Sequence, residues 1–210
     1  MTSRWVARLP RVALAVPVRL AVVGLVLALA VAGCGSAGPA ASPWPSVGPA
    51  EESPFALCPS AVRATAPAAG APDSLPDLTL PCFTGGAPVP IARLGRPALI
   101  NLWASFCEPC REEMPALQAF ADELGDRVIV LGVDTSDRWS AAAAAGEGFG
   151  ARYPSVFDPH GTLAAALGRN YLPVTLVVGA DGAVLATDVG GALTLDRLRE
   201  LARVHFGIDG

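Results

Sequence analysis

Trp103-Ala104-Ser105-Phe106-Cys107-Glu108-Pro109-Cys110 joins an apolar run, Ala98 to Trp103, to a helix-compatible run, Arg111 to Leu124. The apolar run reads as a buried strand. Two cysteines, two residues apart, therefore fall where a strand ends and a helix begins. The first N–H groups of a helix have no intrahelical partner, and the macrodipole adds partial positive charge there. Both favour a thiolate at Cys107, and thiolate is the form that attacks disulfides. Cys110 lies one turn on, close enough to resolve a mixed disulfide at Cys107.

The strand pattern continues outward. Val128 to Val133 is a second continuous apolar run, and a strand–helix–strand of this kind implies a parallel crossover. Met114, Leu117, Phe120, Ala121 and Leu124 share one face of the helix, with Pro115 expected to kink it and Gly125 to stop it. Upstream, Leu75 to Leu80 alternates as a short strand, Gly85-Gly86 turns the chain, and Val89 to Ile91 is its edge partner because of Pro90. Downstream, Trp139 to Phe149 reads as an Ala-rich helix weakened by Gly146 and Gly148. Tyr153 to Asp158 is extended, and Thr162 to Leu167 is a short helix with a Thr cap. Val174 to Val178 and Ala183 to Val189 form a hairpin around Asp181-Gly182, and a last helix starts near Thr194.

The 210 residues carry a formal net charge of -4 and no lysine. No basic cluster lies beyond the N-terminus, which argues against nucleic-acid binding. Arg4, Arg8, Arg11 and Arg19 precede an uncharged apolar run of 14 residues, Leu20 to Gly33. That length suits an export signal better than a membrane span, which needs about 20. Val31-Ala32-Gly33-Cys34 resembles the lipobox of bacterial lipoproteins, which implies lipidation of Cys34. The stretch to residue 56 is dominated by Ala, Pro, Gly and Ser and reads as a tether. The expected organisation is a lipoprotein signal over 1–33, a tether over 34–56 and a folded domain over 57–210.

With Cys34 lipidated, Cys58, Cys82, Cys107 and Cys110 remain. Cys58 with Cys82 is the natural structural bridge of an oxidising compartment. Two unpaired buried thiols, or a second redox couple relaying to Cys107, stay open as alternatives. Structural zinc needs four ligands, and here the other cysteines are single and His160 and His205 are isolated. No metal and no other cofactor is expected.

Ala98 to Glu113, read as strand, Trp-x-x-x-Cys-x-x-Cys and Pro-containing helix, resembles the thioredoxin fold. With Val128 to Asp134, the insert 137–168 and Tyr171-Leu172-Pro173-Val174-Thr175, the chain resembles the membrane-anchored TlpA/ResA-like thiol-disulfide oxidoreductases over about residues 73–206. The resemblance implies an α/β, thioredoxin-like fold, a central mixed β-sheet flanked by helices, with an N-terminal extension and a central helical and strand insert. It implies Cys107 as attacking and leaving thiolate, Cys110 as resolving thiol and Pro173 as a cis-proline facing them. The backbone of Leu172 would pair with an extended substrate. Glu113 would tune the thiols and move protons, since Asn101 stands where thioredoxins carry a buried acid. Trp103 and Phe106 would form half-exposed apolar surface around Cys107.

Glu108 and Glu113 place negative charge near the thiolate, which makes it costlier and the couple more reducing; Arg111 opposes them. The expected activity is reduction of disulfides in exported proteins, with apocytochrome c thiols as implied substrate and a membrane thiol transporter as implied electron donor. An exported disulfide oxidase is the nearest rival. A redox-inert binding module on the same fold is another. A thiol peroxidase, a copper carrier and a cysteine protease find no further supporting residues: no His or Met lies close to the CxxC in sequence, and neither histidine is placed as a base.

Overall fold

The computed structural model describes residues 53–60, 74–189 and 191–209. The expected signal 1–33, Cys34 and most of the tether lie outside the described residues. Among the described residues, no helix is long and apolar enough to cross a membrane.

Two apolar runs that no polar residue interrupts except Asn101 become the two central strands of one sheet. β3 (Ala98–Trp103) pairs in parallel with β4 (Ile129–Thr135), and every residue of both is buried. They follow β1 (Thr79–Leu80) and β2 (Val89–Pro90), which form a separate antiparallel ribbon. β5 (Ser155–Asp158) extends the sheet in parallel beyond β4. β6 (Val174–Val178) and β7 (Val184–Val189) extend it antiparallel beyond β3, in the order β5-β4-β3-β6-β7. Strands covered on both faces bury successive side chains in opposite directions, which is why they read as continuous apolar runs.

The alternation inside β3 sorts the two cores. Leu99 and Trp103 face a cluster with α1 (Glu108–Leu124), α2 (Trp139–Gly148) and α4 (Leu195–Phe206), through Met114, Leu117, Ala142, Leu198 and Leu201. Ile100 and Leu102 face the opposite cluster with Leu80, Val89, Ile91 and Leu163, the last from α3 (Thr162–Ala166). Asn101 falls on the α1 side of the sheet by the same alternation, and it does so fully buried.

Several expectations are corrected. The strand expected over Leu75 to Leu80 is ordered as a ladder only at Thr79–Leu80, since Pro76 cannot donate to one. The first long helix begins at Glu108, not Arg111, because Cys107 itself supplies the cap. Pro115 sits exposed within one uninterrupted helix. The short helix α3 has no Thr cap: Gly161 occupies the cap position in the left-handed region. The Asp158 carboxylate instead accepts from the N–H groups of Thr162 and Leu163 and from the Thr162 hydroxyl.

The tether expected to run to residue 56 gives way to packed chain earlier. Phe55 is buried against Phe83, Trp103 and Tyr153, with ring centroids 4.9, 5.8 and 6.5 Å away. The N–H of Ala56 donates to the Arg152 carbonyl at 2.7 Å. A large aromatic overrides the disorder-like composition around it by burying apolar area on the domain. The Cys58–Cys82 bond, with Cα atoms 5.8 Å apart, ties this segment to residues 81–83, which run along the outer edge of β5.

Candidate active site

The strand β3 delivers the chain to a tight turn at Ala104–Phe106. The Cys107 N–H closes it onto the Ala104 carbonyl at 3.1 Å. The Asp137 carboxylate accepts from the Ser105 N–H at 2.5 Å, fixing the turn from the β4–α2 connection. Cys107 then caps α1: its backbone is extended, and its Sγ accepts from the Cys110 N–H at 3.3 Å. A sulfur in this position receives the N–H dipoles that a capping oxygen would otherwise receive, and negative charge on it is stabilised. Pro109 lies in the first turn, where a missing N–H costs no helix bond.

Cys107 and Cys110 are bonded, their Cα atoms 5.3 Å apart. Cys107 is 8% exposed and Cys110 is 0% exposed. An incoming sulfur can thus reach Cys107, whereas Cys110 is reached only from within.

The Leu172–Pro173 peptide bond is cis, as the resemblance implied. The loop before it walls a cavity of about 430 Å³ whose other side is Phe106, Cys107 and Pro109. Leu172 lines this cavity. Phe106 is 66% exposed at its rim and Trp103 is 0% exposed. Trp103 therefore does not form substrate surface as expected; its indole lies under the turn, in contact with the Phe55 ring.

Behind the cysteines sits a buried polar cluster. The Asn101 Nδ2 donates to Glu113 Oε1 at 2.6 Å and to Thr175 Oγ1 at 3.0 Å. The Leu193 N–H donates to Glu113 Oε2 at 3.0 Å. Burial raises the Glu113 carboxyl, the two donated hydrogen bonds lower it, and Asp188 raises it further; the balance puts it at about 7. Glu113 follows Cys110 by three residues on α1, so the two lie on one face of the helix.

A second buried acid was not anticipated. Asp134, at the end of β4 and in register with Trp103, is fully buried, and neither carboxylate oxygen has a hydrogen-bond partner among the described residues. Burial, then the neighbouring Asp137 and Asp158, raise it to about 9. An acid inside an apolar strand gives no periodic signal of its own. Arg169, which also lines the cavity, was missed for a similar reason: nothing in sequence links it to Cys107.

A family model described as Redoxin matches residues 70–202, and the chain belongs to this family. Its architecture is the thioredoxin-like fold. Among its relatives, the thiol:disulfide interchange protein CycY of Rhizobium leguminosarum bv. viciae is 33% identical over 113 residues, 53% of this chain and 57% of that protein. The thiol-disulfide oxidoreductase ResA of Halalkalibacterium halodurans is 24% identical over 98 residues, 46% of this chain and 56% of that protein. The chain thus spans little more than half the length of these two relatives. Among solved structures, a secreted thiol-disulfide isomerase from Corynebacterium glutamicum superposes with a TM-score of 0.54 and 26% identity, covering 61% of this chain and 82% of that one.

Proposed function

We propose that this chain is an exported thiol-disulfide oxidoreductase, held at the membrane by a lipid on Cys34, that reduces disulfides in exported proteins. Residues 1–33 serve as the export signal, the Ala/Pro/Gly-rich stretch after Cys34 as the tether, and the rest as the catalytic domain. The observation that carries the reading is the pair Cys107 and Cys110: one sulfur at a helix cap and open to the cavity, the other sealed one turn behind it.

The reduced chain attacks through the Cys107 thiolate. A bond forms between Cys107 Sγ and one sulfur of the substrate disulfide, and the second substrate sulfur leaves as a thiolate. Cys110, deprotonated, then attacks Cys107 Sγ and expels the first substrate sulfur. Two electrons pass from the dithiol to the substrate, and its two protons end on the two substrate thiols. Glu113, held at about 7 and on the same helix face as Cys110, supports a role as acceptor of the Cys110 proton.

Reduction as the direction rests on Glu108 beside Cys107 and on Glu113, which both make a thiolate costlier. Apocytochrome c thiols as substrate and a membrane thiol transporter as donor rest on the resemblance to ResA-like proteins. The cap position of Cys107 favours the opposite reading, an exported oxidase, because it stabilises the reduced form. Trapping tests the reading as a whole. A Cys110→Ser chain should accumulate mixed disulfides through Cys107 with exported proteins, and recovery of none under redox-active conditions overturns it. The potential decides direction: a value near −120 mV marks an oxidase, and one near −270 mV a reductase.

A further inference from the structure

The cavity beside Cys107 is walled mostly by apolar groups, among them Phe106, Pro109, Tyr171 and Leu172. One cation, Arg169, joins that wall. The arginines on the domain surface that meet carboxylates do so elsewhere: Arg93 with Asp77, Arg152 with Asp122, Arg197 with Asp188, Arg199 with Glu123. Arg111, near the cysteines, lies over the Phe149 ring at 5.8 Å. Arg169 differs from all of these. Among the described residues, its side chain has one hydrogen bond, from Nη1 to the Tyr171 hydroxyl at 3.0 Å, and no carboxylate within ion-pair distance. Its Nε is buried with no acceptor among the described residues, as are those of Arg93 and Arg111, but of these three only Arg169 lines the cavity.

An arginine that is partly buried, aimed at a cavity and without an anion is a half-made contact. Its guanidinium offers fork-shaped donors that match a carboxylate. The Tyr171 hydroxyl holds the fork in place, which lowers the ordering cost when an anion arrives. Deepening the oxidoreductase reading on which it rests, we propose that Arg169 selects substrates: disulfide-bearing protein segments with a carboxylate side chain close to the reacting cysteine and apolar side chains between.

The spacing follows from the cavity. Arg169 and Cys107 line the same cavity, and an extended substrate segment advances about 3.3 Å per residue, so a carboxylate about three residues from the reacting cysteine comes within reach of the guanidinium. The intervening side chains meet Tyr171, Phe106 and Pro109. A lysine at the carboxylate's position meets like charge and is rejected.

The test compares two sets of three nonapeptides as substrates of the reduced chain. Each holds one cysteine as a mixed disulfide with 2-mercaptoethanol, and Glu, Gln or Lys three residues from it, on either side in separate sets. At low ionic strength the second-order rate constant for oxidation of the reduced chain by the Glu peptide should exceed that for the Gln peptide about tenfold, with the Lys peptide slower still. Raising the salt should shrink the ratio. In Arg169→Gln the Glu-to-Gln ratio should fall to about one, and Arg169→Lys should restore part of it. Because the ratio is taken within each protein, a general loss of activity cancels. Equal rates for Glu and Gln in the native chain, or a ratio that survives Arg169→Gln, overturn the role of Arg169 and leave the oxidoreductase reading standing. No reaction with any peptide overturns both.

Discussion

Asn101 Nδ2 stands 2.6 Å from Glu113 Oε1, a contact that links the middle of β3 to the first turns of α1 beneath the cysteines. Both Glu113 partners, Asn101 and the Leu193 N–H, are donors, so both favour the carboxylate. Burial favours the acid. The site is balanced between the two, and the balance sits close to neutral pH.

The first prediction follows from that balance. The folded value of about 7 lies above the ordinary 4.5. The folded state thus holds the proton more tightly, and stability present below pH 4.5 is lost as pH rises through 7. The loss approaches about 3 kcal/mol. Glu113→Gln should flatten the pH dependence of thermal unfolding between pH 5 and 8. It should also slow resolution by Cys110 on the order of 100-fold at pH 7 and remove the inflection near pH 7 from its rate profile. Stopped-flow resolution of a Cys107 mixed disulfide would read both.

Asp134 gives a second pH effect at higher pH. Its carboxyl, raised by burial and by Asp137 and Asp158 to about 9, is neutral in the fold near pH 7. Stability falls as pH rises from the ordinary carboxyl value through 9, as the buried group is forced to ionise. Asp134→Asn should therefore lie within about 1 kcal/mol of the native chain at pH 4, close to the ordinary carboxyl value, and be clearly more stable at pH 9.5. Melting at the two pH values checks the sign. A native chain that melts no earlier at pH 9.5 would contradict it.

Cys58 and Cys82 close a loop of sequence separation 24. Replacing both with serine should cost about 3 kcal/mol of stability, on a chain-entropy estimate. Chemical denaturation with the Cys107–Cys110 pair kept reduced measures it. Retained disulfide reductase activity in the same variant would separate a structural bridge from a second redox couple.

Phe55→Ala should cost about 3 kcal/mol, because it empties a site bounded by the Phe83, Trp103 and Tyr153 rings. The loss should appear as a lower melting temperature with the same denaturant slope if only this contact is removed.

Gly146 shows where the sequence was ambiguous. In sequence it reads as a weak point of α2. In the fold, a Cβ there would stand 2.6 Å from Phe55 Cζ and 2.9 Å from Pro54 Cγ. The glycine makes room for the segment around Phe55, a contact distant in sequence that no local pattern records. Trp103 is the converse case. Its place beside the CxxC suggested exposed surface, but strand alternation turns it inward, and the Phe55 segment seals it.

The local order of strands and helices, the helix cap at Cys107 and the pairing of Cys107 with Cys110 were fixed by short-range chemistry: periodicity, turn residues and spacing. These are properties of neighbouring residues, so one chain read in order contains them. Only tertiary structure decided which groups meet across the domain: Glu113 with Asn101 and Leu193, Asp137 with the Ser105 N–H, Arg169 with the Cys107 cavity. Those contacts depend on which sheet face and which loop end each residue reaches, and their energies come from burial, which no linear spacing encodes.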